Sequence, residues 1–254
     1  MAEKHRIAVV GLGMALKPHL QSLRELSERV EIAACYTPSE ERREAFGRDN
    51  PDLSITDSLE RVLADRSIRS VLLLTPPTTH QDLVQRCAAA GKHVLLEKPL
   101  EVTVERGRQA VEAMEKAGLR LGIVLQHRVR AASRRLDALM RGGELGALLS
   151  GSAYIRWWRA PEYFAQPGRG MKARDGGGVL LTQAIHTLDL FRSLVGISGV
   201  DAAQVKRTSV HRMDTEDYVS ALVRLGDGGF GTIMATTAFN PGLSERIEII
   251  GSKG

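Results

Sequence analysis

The stretch Arg6-Ile7-Ala8-Val9-Val10-Gly11-Leu12-Gly13-Met14-Ala15-Leu16 decides how the rest of the chain is read: a short apolar run, a glycine turn, then a helical pattern over residues 14–29. Gly11 permits the tight turn. Gly13 lets backbone N–H groups approach a pyrophosphate at the helix N-terminus, where unpaired amides and the helix dipole favour an anion. The third glycine of a G-x-G-x-x-G fingerprint falls on Leu16, a departure that the small neighbour Ala15 softens. Pro18 lies near the first helical turn, where backbone amides lack intrahelical partners anyway. A G-x-G alone is equally a plain tight turn, so its surroundings must decide.

Those surroundings alternate. Apolar runs at 30–36, 68–74, 93–96 and 119–125 read as buried strands, and patterns at 40–48, 57–65, 78–90 and 104–117 read as helices. Gly91 and Gly118 are natural helix terminators, and Thr78 with Gln81 has the spacing of a capping box. Continuous apolar strands between amphipathic helices predict a parallel sheet covered on both faces. The fold class is therefore α/β, with a doubly wound Rossmann domain over residues 1–125. After Gln126 the rhythm changes. A helix at 131–141, a long strand at 147–159, a polar Gly-containing segment and an apolar helix at 178–195 precede strands at 202–210, 217–225, 229–237 and 246–250. Gly226-Asp227-Gly228-Gly229 supplies a hairpin turn. Residues 126–254 are thus expected to form an α+β domain with an open, mostly antiparallel sheet.

At 254 residues, with 43% apolar and 26% charged residues, the chain has the composition of a soluble globular protein and length enough for two modest domains. The net charge is +5, but 35 basic residues are interleaved with 30 acids and aromatics make up only 4%. No basic run or recognition motif appears, so no nucleic-acid partner is expected. Cys35 and Cys87 lack CxxC spacing, which argues against a disulfide framework or a metal site. No apolar stretch reaches membrane length, and residues 1–6 run into the first strand without an apolar leader pattern; a cytoplasmic protein without a leader or a membrane partner is expected.

Three further stretches carry chemistry. At the end of the second strand, Cys35-Tyr36-Thr37-Pro38-Ser39 lacks the acid that would bind a ribose 2′-hydroxyl, while Thr37, Ser39 and Arg42, with Arg43, suit a 2′-phosphate. NADP is expected in preference to NAD; the alternative is that both arginines solvate a helix face. Glu97-Lys98-Pro99 follows a strand at the carboxyl edge of the sheet, where a lysine could exchange a proton with a substrate hydroxyl. Thr75-Pro76-Pro77-Thr78-Thr79-His80 occupies the equivalent edge of the preceding strand and either walls the nicotinamide or caps a helix. In the second half, the run from Gly176-Gly177-Gly178 to Asp189 places Thr182, His186 and Asp189 on one face of an expected helix. Histidine suits proton exchange near neutral pH, although a single helical histidine is also a common core residue.

Together these residues resemble the glucose–fructose oxidoreductase, inositol dehydrogenase and rhizopine-catabolism family (Gfo/Idh/MocA). The G-x-G with His19, Thr75-Pro76-Pro77 with His80, Glu97-Lys98-Pro99-Leu100, and the Gly-rich helix with His186 and Asp189 occur in the family's order. The resemblance implies an NAD(P)-dependent oxidoreductase of a sugar, cyclitol or related polyol, the alternative being a non-catalytic sensor or transcriptional co-regulator of the same fold. It implies Lys98 and His186 as catalytic residues and an open sheet used for self-association, as dimer or tetramer. Gly11, Leu12, Gly13, Met14, Thr75, Pro76, His80, Glu97, Lys98 and Gln126 would contact cofactor. Lys98, Arg159, Tyr163, Thr182 and His186 would contact substrate, with Trp158 beside Arg159. Two departures stand out. Thr182 occupies a position where the family often has Asp, and residues 247–254 resemble an internal strand and turn, so the chain looks C-terminally truncated.

Overall fold

Strand β1 (His5–Val10) enters the turn that the sequence singles out, and α1 (Leu16–Glu25) leaves it. There follow β2 (Val30–Tyr36), α2 (Glu40–Asp49), β3 (Ile55–Thr56), α3 (Leu59–Ala64) and β4 (Ser70–Leu73). A 3-10 turn (Pro77–Thr79), α4 (His80–Ala89), β5 (His93–Glu97), α5 (Val104–Lys116) and β6 (Leu121–Val124) complete the first of two compact units, which divide between Val124 and Leu125. The structure is a computed structural model that describes residues 3–166, 168–226 and 228–254.

The six strands of the first unit pair in parallel in the order β3-β2-β1-β4-β5-β6, the doubly wound arrangement expected. The apolar runs explain it. Alternate residues of β1 and β4 face opposite sides: Ala8, Val10, Val71 and Leu73 pack in one core with Leu96, Ala110 and Met114. Val9 and Leu72 pack in the other with Leu12, Leu16, Cys35 and Phe46. A strand buried on both faces needs a continuous apolar run, and these strands have one.

One element and one expectation differ here. The two-residue β3 has too few residues to show a pattern in the sequence. The capping box does not form: α4 starts at His80, and the Thr79 hydroxyl turns back to the Pro76 carbonyl (2.8 Å) and Thr75 Oγ1 (2.9 Å). The Pro76-Pro77 pair begins the turn early, so the Gln81 amide donates instead to Glu101 Oε1 (3.2 Å).

The second unit opens with a 3-10 turn (Gln126–Val129) and α6 (Ala131–Arg141), then β7 (Leu148–Arg156), α7 (Pro161–Phe164), α8 (Lys172–Asp175), α9 (Val179–Thr182) and α10 (Ile185–Val195). Strands β8 (Ile197–Lys206), β9 (Tyr218–Leu225), β10 (Phe230–Thr236) and β11 (Arg246–Gly251) complete a sheet ordered β11-β7-β10-β9-β8. Only β7 and β10 run parallel, so the sheet is mostly antiparallel as expected. One face, with Ala153, Ile155, Val219, Val223, Ile233 and Ala235, packs against Phe191 and Val195 of α10. The Leu225 amide donates to the Gly229 carbonyl (2.8 Å) across the glycine turn, whose Asp227 lies outside the described residues.

The expected single helix over 178–195 is two helices. The amides of both Gln183 and Ala184 donate to the Val179 carbonyl, which closes α9, and the Leu188 amide restarts the ladder on Ala184. Thr182 and His186 therefore do not share one continuous helix face, although His186 and Asp189 remain together on α10. Among the described residues no helix is long and apolar enough to cross a membrane, and no group of three or more His, Cys, Asp or Glu could hold a metal ion.

Candidate active site

In the first unit the glycine turn is built by close approach. Gly11 donates its amide to the Tyr36 carbonyl (2.8 Å) and has φ +102, and a Cβ there would stand 2.8 Å from the Leu74 backbone. Only glycine fits. Gly13 differs: a Cβ would meet only Arg42 Nη1, at 3.8 Å, so its backbone lies open. Helix α1 has no side-chain cap and no acid in its first turn. No carboxylate of the helix's own first turn competes for its N-terminal amides, and the turn fits a dinucleotide pyrophosphate. Leu16, the departure from the fingerprint, is buried against the sheet with Leu12, so a large side chain here serves helix–sheet packing. Met14 projects from the turn, 70% exposed.

The two arginines after β2 have different fates. Arg43 donates to the Thr37 and Pro38 carbonyls (2.9 Å each) and holds the loop. Ser39 caps α2 by accepting the Arg42 amide (3.4 Å), and the Thr37 side chain is buried. Arg42 is exposed, lies beside Gly13, and makes no ion pair among the described residues.

At the carboxyl edge, Glu97 is a bridge. Its Oε1 lies 2.8 Å from His19 Nε2 on α1, and its Oε2 accepts the Lys98 amide (3.0 Å). Burial works to raise the Glu97 carboxyl, but the His19 hydrogen bond and charge, Lys98 and its amide outweigh it and hold the group below its ordinary value. Thr75, Pro76 and Lys98 keep surface at this edge. His80 does not: it is 0% exposed, with both ring nitrogens on backbone carbonyls, and so has no surface to offer a cofactor. That corrects its expected place in the cofactor lining. Its position at the start of α4 sends the ring inward.

In the second unit the Gly176-Gly177-Gly178 run is explained by a residue the sequence reading missed, Glu216. A Cβ on Gly178 would stand 1.8 Å from the Glu216 carbonyl oxygen. That carbonyl accepts the Val179 amide (2.8 Å), while the carboxylate accepts the amides of Gly178 (3.0 Å) and Leu180 (3.3 Å). The Thr182 hydroxyl donates to the Gly178 carbonyl (2.7 Å) and contacts the Gln183 side chain. On α10, Asp189 forms a two-pronged pair with Arg128 (2.5 Å for each prong). The buried ring of His127 packs 5.1 Å from that of His186. Burial, with Arg130 adding to it and Glu245 opposing, holds the His127 imidazole below its ordinary value. His127 adjoins Gln126, which is exposed, and that adjacency was its only sequence signal.

Arg159 stacks over Trp157 (4.9 Å) and Tyr163 (5.5 Å), and Arg169 over the same tyrosine (4.1 Å). Its backbone is held from behind: His211 Nε2 meets the Arg159 carbonyl at 2.7 Å, and His211 Nδ1 meets Asp217 at 2.8 Å, both side chains fully buried. The Trp158 ring lies 6.1 Å from that of His211. This His–Asp clamp sits in and beside the irregular segment between β8 and β9, where periodicity carries no information.

The first unit matches the model of an oxidoreductase family with an NAD-binding Rossmann fold, GFO_IDH_MocA, over residues 5–124. Residues 133–254 match the GFO/IDH/MocA C-terminal domain. The chain resembles the WlbA dehydrogenase of Bordetella pertussis, solved with NADH and UDP-GlcNAcA, with a TM-score of 0.92 and 30% identity over 98% of this chain and 76% of that one. It is 29% identical to the rhizopine catabolism protein MocA of Rhizobium meliloti, over 99% of this chain and 77% of the relative. It is 26% identical to the scyllo-inositol 2-dehydrogenase (NAD(+)) of Bacillus subtilis, over 100% and 73%. These relatives support the enzyme over the sensor. Fold, glycine turn and both matched halves agree: the chain belongs to the Gfo/Idh/MocA family of oxidoreductases.

Proposed function

We propose that this NAD(P)-dependent oxidoreductase interconverts a carbinol and a carbonyl on a sugar, cyclitol or related polyol, with NADP preferred. The observation that carries the reading is the Glu97 bridge, which anchors the Lys98 backbone at the sheet edge where α/β proteins bind ligands. The bound nicotinamide supplies the hydride acceptor or donor at its C4. Lys98 exchanges the substrate hydroxyl proton and His186 assists it. Gly11, Leu12, Gly13 and Met14 receive the pyrophosphate, and Thr75, Pro76, Glu97 and Gln126 border the cofactor. Arg159, Tyr163 and Thr182 orient the substrate.

The NADP preference rests on Arg42, exposed beside the Gly13 turn, with Ser39 nearby and no carboxylate at the end of β2. The open face of the second sheet is assigned to self-association as a dimer or tetramer. It carries Phe230 (72% exposed) and Leu222 (54% exposed) on adjacent strands. The cytoplasm is the assigned compartment, in keeping with Cys35 and Cys87 as free, buried thiols.

The test is an absorbance screen for reduced nicotinamide, pairing a sugar and polyol panel with each cofactor. Turnover with NADP, lost in Lys98→Ala while cofactor binding persists, is the expected result. Wild-type-like turnover in Lys98→Ala sinks the catalytic role, and a clear NAD preference sinks the Arg42 argument. Cofactor binding without any turnover would move the protein to the sensor class.

A further inference from the structure

We propose that His80 is a positioning residue for Lys98, a clamp between the two loops at the carboxyl edge of the first sheet. The proposal rests on the reading of Lys98 as the proton-exchanging residue. Strands β4 and β5 are in register from Ser70↔His93 to Leu73↔Leu96. Past that last pair the ladder ends, and the chain after β5 carries Lys98 without strand pairing to β4. His80 spans this interval. Its Nε2 lies 2.9 Å from the Thr75 carbonyl, and its Nδ1 lies 3.0 Å from the Pro99 carbonyl and 3.3 Å from that of Leu100.

Carbonyl oxygens only accept, so a ring nitrogen that carries a proton donates to its loop; in either tautomer the ring hydrogen-bonds one loop and fills the space up to the other. Lys98 is bracketed as a result: its amide is held by Glu97, and the next carbonyl along the chain is held by His80. Two further links, Gln81 to Glu101 (3.2 Å) and Arg106 to the Thr78 carbonyl (3.0 Å), brace the same pair of segments farther from Lys98. A buried imidazole with three carbonyls around it makes a rigid link, because breaking it strands polar groups away from water. Proton exchange depends steeply on where the exchanging atom stands, so a loosened Lys98 backbone costs turnover before it costs cofactor affinity.

The experiment compares His80→Asn, which keeps a donor group but is too short to span both loops, with Val84→Ala. Val84 is fully buried on the same helix and its apolar side chain makes no hydrogen bond, so its truncation destabilises the unit without removing a hydrogen bond from either loop. His80→Gln is the second variant should His80→Asn fail to fold. In the cofactor-free protein, amide hydrogen exchange over residues 97–102 should rise about tenfold or more in the His80 variant, as expected when the loop loses the side-chain contacts that hold its carbonyls. In the turnover assay kcat should fall about tenfold or more, with cofactor Kd changed less than about threefold. Val84→Ala should lower the melting temperature and do neither. Wild-type exchange over 97–102 in both His80 variants overturns the proposal, as does the same loosening and kcat loss in Val84→Ala. If the wild type turns over no substrate, the oxidoreductase reading fails separately, and the exchange comparison still decides whether His80 anchors the loop.

Discussion

Replacing Gly178 with alanine tests the link between the Gly-rich run and Glu216. The added Cβ would stand 1.8 Å from the Glu216 carbonyl oxygen, so the two backbones must part by more than an ångström. Three hydrogen bonds cross that gap: Val179 amide to Glu216 carbonyl (2.8 Å), and the Gly178 and Leu180 amides to its carboxylate (3.0 and 3.3 Å). One neutral bond at about 1 kcal/mol and two charge-assisted bonds at the low end of about 1.5–3 kcal/mol each give a loss of about 4 kcal/mol. For a chain of this size that corresponds to a fall of roughly 8–16 °C in melting temperature. The readout is favourable, because both tryptophans, Trp157 and Trp158, lie in the second unit, and tryptophan fluorescence therefore follows that unit alone. Gly177→Ala is the control: the atom nearest its Cβ would be Leu181 Cβ, at 3.2 Å, so a shift of a few tenths of an ångström accommodates it and it should cost well under the Gly178→Ala loss. A Gly178→Ala protein melting within about 3 °C of wild type, or matching Gly177→Ala, would refute the reasoning.

Two other outcomes follow from buried groups in the first unit. Burial pushes the Cys35 thiol up to about 12, with Asp52 adding to it, and pushes the Cys87 thiol up to about 12. Neither should react with a thiol reagent at about pH 8 until the protein is unfolded; prompt labelling of either in the native state contradicts this. Glu97 is a carboxyl held below its ordinary value, so its stabilising contribution is complete above the unfolded carboxylate range, about 4.3, and is lost as pH falls through the depressed folded value. The stability gap between wild type and Glu97→Gln, measured by urea unfolding, should therefore narrow on acidification from neutral pH, and a constant gap would count against the His19–Glu97 arrangement.

What could be read from the residues was whatever local composition decides. Strand β2 and helix α6 fall on their expected bounds, Val30–Tyr36 and Ala131–Arg141, because a continuous apolar run and a 3.6-residue stripe carry their own evidence. The break between α9 and α10 could not be read. Its first turn is anchored by Glu216, far along the chain, and nothing between Gly178 and Val195 announces that partner. The same holds for His80, whose place beside the Thr75-Pro76-Pro77 edge suggested a cofactor contact. Only the three-dimensional arrangement shows the ring turned inward onto the next loop.

The glycines make the general point more sharply. Gly11, Gly13 and Gly178 look alike as letters, yet they answer different demands. Gly11 is required by φ +102 and by the Leu74 backbone, and Gly178 by the Glu216 backbone. Gly13 is crowded by nothing in the protein, since a Cβ there would have met Arg42 alone, at 3.8 Å. A glycine whose neighbours explain it is scaffold, and a glycine left unexplained by its neighbours is where a ligand is expected to approach. By that criterion the dinucleotide assignment rests on Gly13 and the uncapped α1, with Leu16 as packing, so the missing third glycine does not weaken it.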